Sequence, residues 1–201
     1  MNSRNSERPS VPGSRKAEGA KNLRVPKIYI STYNVRTLKD DDRETELLHE
    51  LNETNLKWHV IGLAETRRKG EQLTTTEGGH TLYTIGGDVP QRGVGFLVHR
   101  KVKDKIIKFE GLNDRVASLT MKVNNQYQMQ IVQVYAPTTT HSDEEVEEFY
   151  ENITSVMERN KSFYKIIMGD FNAKVGRHEQ GDGKTTGEQG LGERNERGER
   201  L

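Results

Sequence analysis

Apolar positions along the chain keep two rhythms, and most of them keep the shorter one. Ile28 and Ile30 alternate with Tyr29 and Ser31, which predicts a strand ending at Asn34. Val60 to Ala64 is a short continuous apolar run that stops at Glu65. Thr81–Ile85, Val94–Val98, Lys105–Phe109, Val116–Val123 and Tyr127–Tyr135 follow as strands between Gly, Asn and charged turns, and Pro137 ends the last of them. Val123 to Tyr127 reads as a hairpin turn, in which Asn tolerates positive φ. Ile166 to Met168 predicts a short buried strand broken by Gly169. Alternation then sets Asp170 and Asn172 on one side, with Phe171 turned into the interior.

The longer rhythm occurs twice. Leu47, Leu48 and Leu51 lie at helical spacing within Arg43–Glu53, with an N-terminus at Asp41 or Asp42. Val146, Phe149, Tyr150, Ile153, Val156 and Met157 form one apolar stripe behind a capping box of Ser142 and Glu145. Residues 68–79 are polar and glycine-containing, which predicts a loop overhanging a site. Gly176 to Leu201 is a glycine-rich loop rather than a packed element, and its end, Glu196 to Leu201, reads as the first turn of a helix.

Composition adds boundaries to this picture. Length and an apolar content of 31% fit one domain plus loose ends: a disordered basic arm over 1–26 and a domain over 27–201. The net charge of +1 hides an asymmetry, because residues 1–27 carry seven Lys or Arg against two Glu, leaving 24 against 28 for the rest. A solvated leader is the favoured reading of the arm over a dedicated nucleic-acid contact. With no cysteine, any metal must be held by oxygen or imidazole. Neither a membrane-length apolar run nor a signal peptide is present, so an intracellular protein, nuclear or cytoplasmic, is expected.

Five polar residues stand where an apolar strand runs out: Asn34, Glu65, Tyr135, Asp170 and Asn172. Two carboxylates suit Mg²⁺, and amide and phenol donors can stabilise charge developing on a phosphate. Each residue also has a local explanation. Asp170 and Asn172 can form an Asx turn, Glu65 can pair with Arg67 or Arg68, Tyr135 can be a half-buried core phenol, and Asn34 can cap a loop.

Tyr33-Asn34-Val35, Leu63-Ala64-Glu65-Thr66, Gly93-Val94-Gly95-Phe96, Val134-Tyr135-Ala136-Pro137 and Gly169-Asp170-Phe171-Asn172 resemble, in this order, the motifs of the endonuclease/exonuclease/phosphatase superfamily. Asn34 to Leu38 and the run Gly192 to Gly198 resemble the apurinic-type endonuclease domains of non-LTR (LINE-like) retrotransposons. The resemblance implies a DNase I-like four-layered α/β sandwich, with two mixed β-sheets flanked by helices, that cuts DNA with Mg²⁺ or Mn²⁺. It implies Glu65 as the principal metal ligand with Asn34 beside it, and Asp170 orienting or deprotonating the water. Asn172 would bind the scissile phosphate, Tyr135 would donate to it, and Arg115 would order the site. Arg36 stands where relatives usually carry an acid and suits a phosphate contact. Lipid and inositol phosphatases of the superfamily share the core motifs, but the retroelement-like segments favour DNA. Members also continue into a terminal Asp-His pair that residues 1–201 do not contain, which implies a domain incomplete at its C-terminus. The alternative is an inactive truncated or domesticated fragment that at most binds nucleic acid.

Overall fold

The strand-like runs fold as strands, and the two helical stripes fold as helices between them. A computed structural model describes residues 27–179, 181–184, 187 and 189–201; the basic arm expected over 1–26 lies outside these. The described elements are β1 (Ile30–Asn34), α1 (Asp41–Glu53), β2 (Val60–Ala64), β3 (Gly70–Thr75), β4 (Thr81–Gly86), β5 (Val94–Val98), β6 (Ile106–Asn113), β7 (Val116–Lys122), β8 (Gln128–Tyr135), α2 (Asp143–Glu158), β9 (Tyr164–Asp170) and α3 (Glu196–Glu199). Asp40 caps α1 by accepting the Arg43 N–H. The Ser142–Glu145 capping box starts α2 as its sequence predicts.

The strands form two sheets, ordered β1-β2-β5-β4-β3 and β6-β7-β8-β9. Both are mixed, since β1–β2 and β8–β9 are parallel and the remaining pairs antiparallel. A parallel pair needs a crossover, and each has a helix for it: α1 joins β1 to β2, and α2 joins β8 to β9. Alternation then sorts the side chains into layers. Val60, Val94, Phe96, Ala117, Leu119 and Ile131 fill the space between the sheets. Ile61, Leu63, Leu82 and Leu97 face the other way and pack with Leu47 of α1. Val132 and Val134 pack with Phe149 and Ile153 of α2. The result is the expected sandwich of helix, sheet, sheet and helix.

Several local expectations are overturned. Residues 70–75 are not an overhanging loop but the edge strand β3, paired with β4 and exposed at every position. With both faces wet, this strand has no apolar alternation to betray it. The strand expected to be buried at Ile166–Met168 is also an edge; Ile167 is 40% exposed, and pairing runs through Gly169 to Asp170 rather than breaking there. The 123–127 turn is held by Asn124 Oδ1 accepting the Gln126 and Tyr127 N–H groups, without positive φ at either Asn. The glycine-rich end is docked rather than loose. Arg194 donates to both carboxylate oxygens of Asp182 and to Val175 O, and Arg197 is buried.

Gly169 holds a special place in β9 because it delivers Asp170 to the strand end. Its φ of 148° disfavours a side chain, and a Cβ would collide with the Val134 carbonyl of β8. Gly169→Ala is therefore expected to destabilise the protein by about 1–3 kcal/mol in urea unfolding. A loss within about 0.5 kcal/mol, typical of a neutral surface change, would contradict this reading of the bend.

Candidate active site

Both parallel strand pairs run their carboxyl ends toward the same side of the molecule, and the polar strand-end residues meet there. Asn34, Tyr135 and Asp170 share the inner face of their strands with Ile30, Ile131 and Met168, so alternation aims all three into the mouth between the sheets. Tyr135 and Asp170 are register partners across β8 and β9. The Asn34 amide spans the gap between the sheets. Its Nδ2 donates to Glu65 Oε1 at 2.7 Å and to Asp170 Oδ2 at 2.9 Å, while its Oδ1 accepts the Arg36 N–H at 3.0 Å.

Glu65 arrives differently. Continued alternation beyond Ala64 would put it on the outer face with Ile61 and Leu63. Instead its φ is 56°, which takes it out of the strand and lets its carboxylate meet Asn34. A left-handed non-glycine residue is strained by about 1–3 kcal/mol and persists only where its surroundings fix it. Here they do. Thr66 donates to Gly93 O and accepts from the Leu38 N–H, and the Arg67 N–H donates to Arg92 O. Arg36, Glu65, Arg67 and Asn172 are the non-glycine residues with positive φ among the described residues, and all four lie at this mouth.

The structure divides the two arginines after Glu65. Arg67 Nη2 lies 3.2 Å from Glu65 Oε2, whereas Arg68 is buried, donating to Leu38 O at 2.7 Å and to Glu44 Oε2 at 2.8 Å. Asp170 Oδ1 accepts the Asn172 N–H at 3.0 Å, so the Asx turn is real and forms part of the site. Asn172 is not in the strand, and its side chain donates to Ala136 O at 2.7 Å. Arg36 is exposed at the lip. Arg115 is buried behind Tyr135, donating to Tyr135 O at 3.2 Å with its guanidinium 5.7 Å from the phenol ring centre. It supports the phenol rather than reaching the mouth. Burial, then the Glu65 and Asp170 carboxylates, push the Tyr135 phenol above the usual tyrosine range, with Arg115 opposing. The phenol is therefore a donor at neutral pH.

A cleft of about 350 Å³ opens here, lined by Thr32, Asn34, Gly169, Asp170, Phe171 and Ala173. Among the described residues, no cluster of three or more His, Asp or Glu side chains forms a closed metal cage. Two carboxylates sharing one amide nitrogen do fit a hard cation of the Mg²⁺ type, which takes one or two carboxylates and completes its shell with water and substrate oxygens. His141 and Arg67, which also shape the site, carried no sequence signal of a site role. His141 lies in a polar turn, and Arg67 is one of two adjacent arginines.

No family model matches the chain. The chain is 31% identical over 173 residues to craniofacial development protein 2 of Bos taurus, which is 86% of this chain and 28% of the relative. Among solved structures it is similar to the AP endonuclease LMAP from Leishmania major, with a TM-score of 0.53 and 16% identity over 75% of this chain and 57% of that one. It is also similar to the 3′ phosphatase NExo from Neisseria, bound to a product DNA hairpin, with a TM-score of 0.52 and 16% identity over 74% of this chain and 59% of that one. The chain thus spans little more than a quarter of the curated relative. Among the described residues, no helix is long and apolar enough to cross a membrane. By sequence the chain is similar to part of craniofacial development protein 2, and by architecture it has the DNase I-like two-sheet α/β fold of these endonuclease and phosphatase structures.

Proposed function

We propose that this site hydrolyses phosphodiester bonds of DNA with Mg²⁺ or Mn²⁺, as part of an endonuclease domain of non-LTR retrotransposon descent. The observation that carries the proposal is the Asn34 amide joining Glu65 and Asp170 at 2.7 and 2.9 Å in the mouth that also holds Tyr135. Glu65, with Asn34 beside it, would hold the cation, which when bound neutralises charge on the phosphate. Asp170, steadied by Asn34 and by the Asn172 N–H, is placed to take a proton from the attacking water. The water oxygen forms the new P–O bond as the ester P–O bond breaks. The Tyr135 phenol donates to the phosphate, and the second N–H of the Asn172 amide is available to do the same. Arg36 at the lip suits the flanking DNA backbone.

The Arg67–Glu65 ion pair supports a second reading, in which the domain binds nucleic acid without cutting it. A guanidinium already satisfies part of the carboxylate's need for a cation.

Nicking of supercoiled plasmid separates the two. Residues 1–201 alone are expected to nick little or not at all. The same residues joined to the adjoining part of craniofacial development protein 2 are expected to nick in Mg²⁺ or Mn²⁺. Glu65→Ala and Asp170→Ala should each lower that rate about 10²- to 10⁴-fold. Nicking that survives both substitutions would sink the site assignment, and DNA retention without nicking in either form would favour the binding reading. A second check reads the site's electrostatics. Because the Asp170 charge raises the Tyr135 phenol, Asp170→Asn is expected to bring its pKa down toward the ordinary value in a ¹³C-tyrosine NMR titration. An unchanged or higher value would show that the two groups do not face each other.

A further inference from the structure

The run Gly192 to Gly198 takes no part in the constellation of Asn34, Glu65, Tyr135 and Asp170, yet it contains one of the most deeply buried cations among the described residues. Arg197 is 6% exposed. A guanidinium is withdrawn from water at a cost unless its donors are used, and the partners of Arg197 are His141, on the loop that leaves β8, and Asp143, the first residue of α2. Its Nη2 donates to His141 O at 3.1 Å and its Nη1 to Asp143 Oδ1 at 3.2 Å. Asp143 is 70% exposed, so the ion pair itself is weak, and what the contact fixes is the position of the loop.

The same turn grips the loop that leaves β9. Asn195 Oδ1 accepts the Lys174 N–H at 2.9 Å, and the Asn195 N–H donates to Lys174 O at 3.1 Å. Gly198 approaches Lys174 so closely that a Cβ would collide with its carbonyl oxygen. One four-residue segment, Asn195 to Gly198, therefore ties together the two loops that flank Tyr135 and Asp170.

His141 carries this tie inward. Its Nε2 lies 3.1 Å from Arg115 Nη2, and its Nδ1 lies 2.8 Å from Thr138 Oγ1 and 3.1 Å from the Thr138 N. A neutral imidazole accepts at one nitrogen only, so the two N–H donors compete. Neither donor can accept in return, but the guanidinium carries a full charge, which makes it the stronger claimant over the Thr138 N–H. Nε2 then accepts from Arg115, and Nδ1–H donates to the Thr138 hydroxyl. Arg115 in turn donates to Tyr135 O, with its guanidinium over the phenol ring at 5.7 Å from the ring centre.

We propose that Asn195, Arg197 and Gly198 form a strap across the two loops, and that Arg197 and His141 are positioning residues that set Arg115 and, through it, the Tyr135 phenol. The inference rests on the reading that Tyr135 serves the phosphate. ¹⁵N NMR of residues 1–201 tests the strap without reference to catalysis. The hydrogen-bond geometry predicts the Nδ1–H tautomer for His141, and the Arg115 guanidinium protons are expected to exchange slowly. Arg197→Ala and His141→Ala should each speed that exchange about 10-fold or more, whereas His141→Gln, which keeps an acceptor, should preserve it. In the nicking-competent longer form, both Ala variants should lower kcat about 10- to 100-fold with KM little changed. Unchanged Arg115 exchange in both Ala variants, with only a lower Tm, would reduce Arg197 to a structural anchor and overturn the proposal. An Nε2–H tautomer of His141 would also overturn it. If exchange responds as expected but the wild-type longer form never nicks, the strap stands and the nuclease reading falls. Should Arg197→Ala fail to fold, His141→Ala carries the test.

Discussion

Two carboxylates that share one amide nitrogen repel each other, and only the surrounding chain keeps them there. Asn34 reaches Asp170 from the opposite sheet and Glu65 from the neighbouring strand, so this one side chain locks the mouth of the sandwich. Most of the structure can be understood as the means of presenting it. The parallel pairs β1–β2 and β8–β9, each made possible by a crossover helix, send four strand ends toward the same side. Ligands collect at the carboxyl ends of such strands because apolar alternation stops there while the backbone is still rigid.

The constraints grow stricter closer to the carboxylates. Glu65 is held in a left-handed conformation by hydrogen bonds that tie its neighbours to two separate segments, at Leu38 and at Arg92–Gly93. Asp170 follows a glycine whose backbone no other residue adopts without strain. Arg67 supplies the nearest positive charge, and Arg115 supports Tyr135 from behind. A positively charged or metal-bound partner relieves the repulsion that Asn34 alone can only moderate. This need for a cation, more than the identity of any single residue, is what fits the mouth to the phosphodiester chemistry proposed for it.

How far the sequence reveals this depends on whether a feature is periodic. Asn34, Tyr135 and Asp170 were legible because each ends an alternating or apolar run on its inner face. Glu65 was legible as a strand end, but its inward turn comes from backbone strain that no period records. Asn172 was expected to continue the strand beside Asp170; the Asx turn puts it in the site by another route. Strand β3 was hidden because both its faces are wet, and β9 looked buried because Ile166, Ile167 and Met168 are apolar although they lie on an edge. The choice between Arg67 and Arg68 as partner of Glu65 stayed open in the sequence, since only the fold separates adjacent side chains. Arg197 and His141 were out of reach for the same reason, because Arg197 reaches His141 across 56 residues and His141 reaches Arg115 across 26.

The measurement that bears most directly on this account is Mn²⁺ binding to residues 1–201 by electron paramagnetic resonance, with Glu65→Gln and Asp170→Asn beside the wild type. The account predicts one bound Mn²⁺ per chain, displaced by Mg²⁺ and weakened about 10-fold or more by either substitution, since a hard cation depends on these carboxylates. Binding that is indifferent to both substitutions, or no binding to the folded wild type, would contradict it.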